Sequence, residues 1–577
     1  MFEALYTTLS QPYFGWIQKL LSAHPDAQIF LVGGAVRDAI LGKISKDYDF
    51  VVRGVQARHL QEFLGTVGIV NLVGRTFGVY KFIPDDGYEQ FKQSGLEAFD
   101  IALPRTEHAW GTGGYRDVEV QSNHELLIEE DLGRRDFTIN AMALELKSEI
   151  RNLPAGKAGP KSETNPNDKN YKLNLIDPYH GMEDISSKLI RAVGDPKERF
   201  EEDYTRMLRA LRFACELGFT IEAETLEALK TVMPSINDKR ADVGRPILSP
   251  LAEFVAPREV VSRELLRAFY ANPVRAFDLY DESGAFLQLA PELLKMKGCP
   301  QPEEFHSEGD VWTHTRMALE ALESEEYGKM FGEVDPHYNA LLIMAVLFHD
   351  VGKPPMLKTP ENDGVDPAPF PIMALGDDAD VSESASRLIS DAKQRQTEER
   401  GGASRIRFDE HDTVGAEITR EIARRLVLSI MVEGPLHVDY NFLTLLIKHH
   451  LILLHTKAED FKASTVEKYF FNPKFPGDTL LRLAFCDGSA AIPKEGGVPS
   501  LQNLYDMIAR IKRMEKAVAE KRVFVKPLIN GNEIMEILKI PAGPGIGELL
   551  RELKEEQLSA RVTTKEAAIE WLKKSFE

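Results

Sequence analysis

The segment from Ile29 to Val52 constrains the fold of this chain more than any other. Ile29–Val32 is an apolar run short enough for a buried strand, Gly33 and Gly34 follow it, and Ala35–Leu41 carries apolar side chains at helical spacing. The glycines therefore fill a strand-to-helix turn. There the absence of Cβ lets backbone N–H groups approach an anion, the helix N-terminus adds partial positive charge, and Arg37 supplies a forked cation. Asp49 runs into Phe50-Val51-Val52, a second strand, so Asp47 and Asp49 are expected on one side, able to share divalent ions. Two-metal phosphoryl transfer needs further carboxylates around ions roughly 3.5–4 Å apart, and Asp100 in the strand-like run Phe99–Leu103 offers a third. A Gly-Gly turn or an Asp-x-Asp pair is commonplace alone; together they point to nucleotidyl transfer.

A chain of 577 residues is too long for one core, and an apolar content of 43% is globular. No run of about eighteen apolar residues is present to span a bilayer, and the N-terminus makes a poor signal peptide, so a cytoplasmic protein with no membrane partner and no obligate protein partner is expected. Cys215, Cys299 and Cys486 are too few and too scattered for a disulfide framework or a clustered zinc site. The formal charge of −20 argues against a general affinity for nucleic acid. Cations nevertheless cluster at Arg134-Arg135, Arg191–Arg212, Lys239–Arg245 and Arg258–Arg267, while acids crowd 303–335 and 361–400. Any one such cluster is ordinarily a solvated helix face with its Glu partners.

Strand and helix patterns mix in 1–150; 151–172 lacks apolar periodicity and reads as an exposed insertion. From Phe200 the pattern is almost wholly helical, interrupted by a polar, acidic stretch at about 358–405 that also reads as inserted, and no internal repeat is found. Phe200–Phe213 is expected to be one amphipathic helix. On it Met207, Leu208 and Leu211 face a core, and Asp203, Arg206 and Arg209 form a polar stripe. In an anonymous helix that stripe is a salt-bridge ladder worth a few tenths of a kcal/mol per pair.

Gly33–Asp38, Asp47-Tyr48-Asp49, Arg134–Met142 and Glu202-Asp203 with Arg206 and Arg209 together resemble the class II tRNA nucleotidyltransferase and bacterial poly(A) polymerase family. The resemblance covers about residues 28–290 and takes in Gly74–Tyr80 and the turn Asp177–Gly181. It implies an α/β nucleotidyltransferase head with a mixed sheet and helices, followed by all-α neck, body and tail domains. It implies Mg²⁺ at Asp47 and Asp49 with Asp100 catalytic, and an incoming nucleotide held by Gly33, Gly34, Arg37, Arg135, Asp136 and Asn140. Asp203 and Arg206 would be an amino-acid template, with Arg209 and Arg212 at the triphosphate or RNA. The template has a physical rationale of its own. Cytosine and adenine each place an amino donor beside a ring-nitrogen acceptor, complementary to a carboxylate and a guanidinium. Uracil or guanine would set a carbonyl against Asp203, and an unpaired buried polar group costs on the order of 1–3 kcal/mol. Ala102–His108 with Gly111–Tyr115 resembles the flexible loop of the CCA-adding branch, its glycines suited to a mobile element, and argues against a CC-adding specialist.

Downstream, His314, the pair His349-Asp350 and Asp487 follow the ordering of an HD domain, whose His and Asp side chains bind a divalent ion; His411 and His449 are further candidates. Imidazoles with carboxylates suit Ni²⁺, Mn²⁺ or Fe²⁺, and such a site can hydrolyse phosphoesters. The expected organisation is therefore a head at 1–150, an insertion at 151–172, neck and body at 173–300, an HD domain at 301–490 and a helical tail at 491–577. The reading is CCA addition to tRNA 3′ ends from CTP and ATP, with an appended HD phosphohydrolase. Its rivals are a poly(A) polymerase or A-adding enzyme, an HD hydrolase with an inactive head, and a non-catalytic RNA-binding scaffold.

Overall fold

The computed structural model describes residues 2–73, 78–114, 117–148, 171–240, 253–359, 406–430, 435–454, 456–472, 475–494, 499–521, 528–541, 543–558 and 561–576. Most of both expected insertions, Gly74–Phe77 of the strand motif, Tyr115 and the 241–245 part of a cationic cluster lie outside them. The chain forms two compact units, Met1–Glu264 with Glu282–Gly284, and Leu265–Asp281 with Ala285–Glu577.

In the first unit seven strands make one mixed sheet: β1 (Gln28–Val32), β2 (Asp49–Arg53), β3 (Gly68–Val73), β4 (Val79–Pro84), β5 (Phe99–Ala102), then β8 (Ala143–Ser148) and β9 (Tyr171–Ile176), in spatial order β3-β4-β5-β2-β1-β8-β9. β6 (Arg105–Ala109) and β7 (Val118–Ser122) form a separate hairpin. β2 and β5 run parallel, with Asp49 opposite Asp100; every other pairing in the large sheet is antiparallel. Alternation along the strands explains what each face carries. Phe50, Phe82 and Phe99 point to an aromatic core with Phe14 and Trp16, Phe14 stacking on Phe99 at 4.9 Å and Trp16 meeting Phe50 edge-on at 5.2 Å. Asp49, Lys81 and Asp100 take the alternate positions. Val32 and Val51, near the same strand ends, are covered by Ile128 and Leu132.

The second unit is helical among the described residues. Pro336–Phe348, capped by Asp335 with Pro336 at its first turn, is buried from Ala340 to Phe348 on all sides, so it runs through the core rather than along a surface. Val311–Ala321 and Gly477–Ala490 pack together and against it; His411–Arg425 packs on Tyr440–His449. Gly531–Leu538, Pro544–Leu558 and Lys565–Phe576 close over Ile529, Ile534, Leu553 and Leu572. No helix among the described residues is long and apolar enough to cross a membrane.

Candidate functional site

Gly33 has φ +71°, which L side chains rarely adopt, and a Cβ there would sit 2.9 Å from Nη1 of Arg135. The turn thus admits the Arg135 guanidinium beside the strand ends. Asp49 lies opposite Asp100, and Lys81, also register partner to Asp100, brings Nζ to 2.6 Å from Asp100 Oδ1. Burial, then the neighbouring Asp47, lift the Asp49 carboxyl to about 6, Arg135 opposing and Asp100 adding to the rise. Burial and Asp100 raise Asp47 likewise. Mutually repelling carboxylates at an open sheet end suit a divalent cation.

Asp100 and Lys81 open into a cleft of about 850 Å³ whose walls include Arg105, Arg134, Arg199, Asp203 and Arg206. The volume suits a nucleotide-sized ligand. Arg134 is fixed by Asp131 (2.9 Å) and Glu107 (2.7 Å), and Arg135 by Asp131 (3.3 Å). Asp131, fully buried, anchors both cations.

A second cluster lies in the helical unit. His314, His349, Asp350, His411, His450 and Asp487 are all buried. Three triplets bring potential ligand atoms within 4.8 Å of one another: His314, His349 and Asp487; Asp350, His411 and His450; and, adjoining the first through His314, the less buried His306, Glu308 and His314. Nδ1 of His349, His411 and His450 meets the backbone carbonyl three residues back, Val346, Phe408 and Ile447, at 2.6–2.8 Å. Donation there leaves each Nε2 with its lone pair inward, and all three Nε2 atoms are buried without a hydrogen-bond partner among the described residues. Buried orphan nitrogens require an explanation, and a metal ion supplies one. Burial, against the pull of Asp350, holds His411 down to about 3, in the neutral form a ligand needs. The cluster also sits at the C-terminal end of Pro336–Phe348, where the helix dipole favours a cation.

Residues 29–191 match the poly A polymerase head domain family. Over 330 residues the chain is 32% identical to a Multifunctional CCA protein of Alkalilimnicola ehrlichii, covering 56% of this chain and 62% of that protein. It is 33% identical over 330 residues to one of Acidovorax sp., covering 56% and 61%. The chain therefore spans about three fifths of the length of these curated relatives. A solved CCA-adding enzyme in apo form II shares the fold at 19% identity and a TM-score of 0.50, covering 97% of this chain and 98% of that one.

The structure corrects several expectations. Phe200–Phe213 is not one helix: Pro196–Glu202 ends at Asp203, which is extended (φ −154°, ψ 102°), and a new helix runs Thr205–Leu217. Asp203 Oδ1 accepts from Thr205 N (2.9 Å) and Oγ1 (2.7 Å), a local bond that competes with helix continuation. Asp203 and Arg206 still share the cleft wall, whereas Arg209 and Arg212 are drawn elsewhere. Arg209 grips buried Asp136 at 2.5 Å. Arg212, 3% exposed, pairs with Glu264 (2.5 Å) and Glu216 (2.9 Å), which places it in the core rather than at a triphosphate. Arg37 is turned onto Asn140 Oδ1 (2.9 Å) and Asp38 (2.8 Å), and Asn140 donates in turn to Asp136 (3.2 Å), so the expected nucleotide-binding set forms a polar chain within the head. Asp47 precedes β2 rather than belonging to it. The element expected to be mobile contains the β6–β7 hairpin, and two of its glycines serve packing: a Cβ on Gly113 would enter the Tyr204 ring at 2.1 Å, one on Gly114 would meet Asp117 at 2.5 Å, whereas one on Gly111 would meet nothing within 4 Å. A short strand, Thr220–Ile221, pairs with Leu189–Ile190 inside the stretch expected to be almost wholly helical from Phe200 onward.

In the second cluster the ligand candidate is His450, not His449. His449 ends the helix Tyr440–His449 and packs on Tyr469, ring centroids 5.0 Å apart, while the next residue turns inward. The adjacent histidines were the available signal; only their phase decides. His411 reaches the cluster across the expected insertion for two reasons. Lys358 and Arg407 pair backbone to backbone (3.0 and 3.1 Å), and Gly352 lies so close to the start of His411–Arg425 that a Cβ would meet His411 O at 2.0 Å.

The raised Asp49 carboxyl carries a pH prediction. In metal-free protein its folded pKa, about 6 against the ordinary 3.8, means the folded state holds the proton longer than the unfolded one. Its contribution is thus favourable below about pH 4 and is lost as pH rises through about 6. Magnesium should therefore raise the melting temperature more at pH 7.5 than at pH 5, a difference that shrinks in Asp49→Asn. An equal rise at both pH values in the unaltered chain would contradict this account of Asp49.

Proposed function

We propose that this chain adds CCA to the 3′ ends of tRNA from CTP and ATP, a cytoplasmic reaction, and that its second cluster is an HD-type metal phosphohydrolase site. The observation that carries the first reading is the cleft in which Asp100, in register with Asp49, faces Asp203 and Arg206. Asp100, one acid for a metal-assisted transfer, thus shares a cavity with a carboxylate and a guanidinium suited to cytosine and adenine. The names of the Multifunctional CCA relatives support the same reading.

Asp47, Asp49 and Asp100 would hold divalent ions, magnesium in this reading, which when bound supply charge neutralisation at the phosphates. The protein's own part is positioning. The carboxylates accept the proton of the RNA 3′-hydroxyl, Asp49 being ionised above about pH 6; Arg134 and Arg206 on the cleft wall attract the anionic substrates. Burial raises the Asp203 carboxyl against the pull of Arg206, so this group is costly to leave without a base donor, which favours nucleotides that bring an amino group. Residues 173–300 would then act as neck and body and 491–577 as tail. At the second cluster the triplets His314, His349, Asp487 and Asp350, His411, His450 fit transition-metal ions such as Ni²⁺, Mn²⁺ or Fe²⁺ through imidazole and carboxylate donors.

Incubation of the purified chain with tRNA lacking its CCA end, and with labelled CTP or ATP, tests the proposal. Two cytidylates and one adenylate are expected per tRNA, with no UTP or GTP incorporation. Incorporation of ATP alone would replace the reading with A addition or poly(A) synthesis, and no incorporation at all would reject it.

A further inference from the structure

One member of the histidine–aspartate cluster is held differently from the rest. His349, His411 and His450 each give Nδ1 to a neutral backbone carbonyl. His314 instead places Nδ1 2.8 Å from Oε1 of Glu308, while its Nε2 lies 3.0 Å from Asp487. The Glu308 side chain is 1% exposed. Its Oε1 also meets Nδ1 of His306 at 2.7 Å, and its Oε2 accepts the backbone N–H of Ile492 at 2.9 Å. A buried carboxylate, saturated by donors from three directions, is thus fixed behind a single ring of the cluster.

We propose that Glu308 is a positioning residue that makes His314 the strongest imidazole donor of the cluster, so that the His314–His349–Asp487 triplet takes up a divalent ion before the Asp350–His411–His450 triplet does. The inference rests on the metal-site reading of the cluster. An imidazole whose N–H is donated to a carboxylate is locked in the tautomer with Nε2 free and is more electron-rich there than one bonded to a carbonyl; loss of such a partner typically costs 10–100-fold in metal affinity. His314 has the carboxylate, and its triplet carries Asp487 as well. The other triplet has two imidazoles backed only by carbonyls, and its carboxylate, Asp350, is shared with the Lys353 ammonium at 2.6 Å. Nothing in the Glu308 sequence position marks it, since it precedes the helix of His314 by three residues and reads as one of a crowd of surface acids.

The test is a Co²⁺ titration of the full-length chain, carrying Asp47→Asn and Asp49→Asn so that the head contributes no ions, with bound metal counted by equilibrium dialysis. Two separable binding steps are expected. Glu308→Gln, which keeps a side chain of the same size against Ile492, should weaken the tighter step 10–100-fold and leave the weaker one within about twofold. His306→Ala, which removes only the outer donor to Glu308, should leave both steps within about threefold. Circular dichroism melting of each variant reports folding separately from metal uptake. A tight step unchanged in Glu308→Gln, both steps weakened alike, or a single step in the parent chain would overturn the proposal. If the parent chain takes up no Co²⁺ at all, the metal-site reading fails instead.

Discussion

Asp49→Ala is expected to lower nucleotide addition by at least about 10³-fold, equivalent to about 4 kcal/mol of barrier, while the fold survives. Asp49 has no packing role that would explain such a loss. Its neighbours on the strand, Phe50 and Val51, supply the apolar contacts, and its own carboxylate adds repulsion to Asp47 and Asp100. Removing it should therefore leave the melting temperature of the metal-free protein unchanged or higher, against a mean cost near 1 kcal/mol for an arbitrary substitution. The same change should abolish the magnesium-induced rise in melting temperature. This opposite movement of activity and metal-free stability distinguishes a carboxylate kept for chemistry from one kept for structure. Single-turnover incorporation of labelled CTP, with melting curves in chelator and in magnesium, measures both. Retention of more than about a tenth of the wild-type rate would remove Asp49 from the catalytic set.

The sequence made the head legible because its signals are local. Gly33-Gly34, Asp49 and Asp100 sit at strand ends where a turn residue and a period of two dictate position, so β1, β2 and β5 and the convergence of the acids follow from short windows. What could not be read is the competition for side chains. Arg37, Arg209 and Arg212 all look like cations awaiting a phosphate, yet Asn140, Asp136 and Glu264 claim them, and those partners lie 103, 73 and 52 residues away in sequence. The break at Asp203 was hidden for the opposite reason. Arg206, Met207 and Leu208 keep perfect helical phase on one side of it and Pro196–Glu202 on the other, and only the bond from Thr205 reveals the turn between. In the second unit the ordering of His314, His349-Asp350 and Asp487 survives as a pattern across insertions. The choice of His450 over His449 depends on which of two adjacent residues faces inward as a helix ends, a difference of about 100° that apolar periodicity on either side does not fix.

Asp350→Asn should strip the second cluster of its metal and lower phosphoester hydrolysis by at least about 10³-fold, with CTP and ATP incorporation unchanged within about twofold. The expectation follows from where its two oxygens point. Oδ2 lies 3.3 Å from His349 Nε2 and 3.8 Å from His314 Nε2, whereas Oδ1 lies 3.6 Å from His411 Nε2 and 3.8 Å from His450 Nε2. Asp350 therefore lies against both triplets, whereas the short contacts of Asp487 among the described residues are to His314 (3.0 Å) and His349 (3.7 Å). Asp487→Asn should accordingly remove part of the bound metal where Asp350→Asn removes all of it. Asparagine is the informative replacement, because alanine would also leave the buried Lys353 ammonium without its anion, and an uncompensated buried charge costs about 3–5 kcal/mol on its own. With asparagine the amide oxygen still faces Lys353, which keeps Gln301 as a second acceptor at 2.8 Å. Metal content after dialysis, measured for both variants beside hydrolysis of a 2′,3′-cyclic nucleotide, gives the comparison. If Asp350→Asn retains the wild-type metal content, the cluster's ion is not held by this carboxylate. If metal is lost but hydrolysis persists, the hydrolytic role passes to another part of the chain.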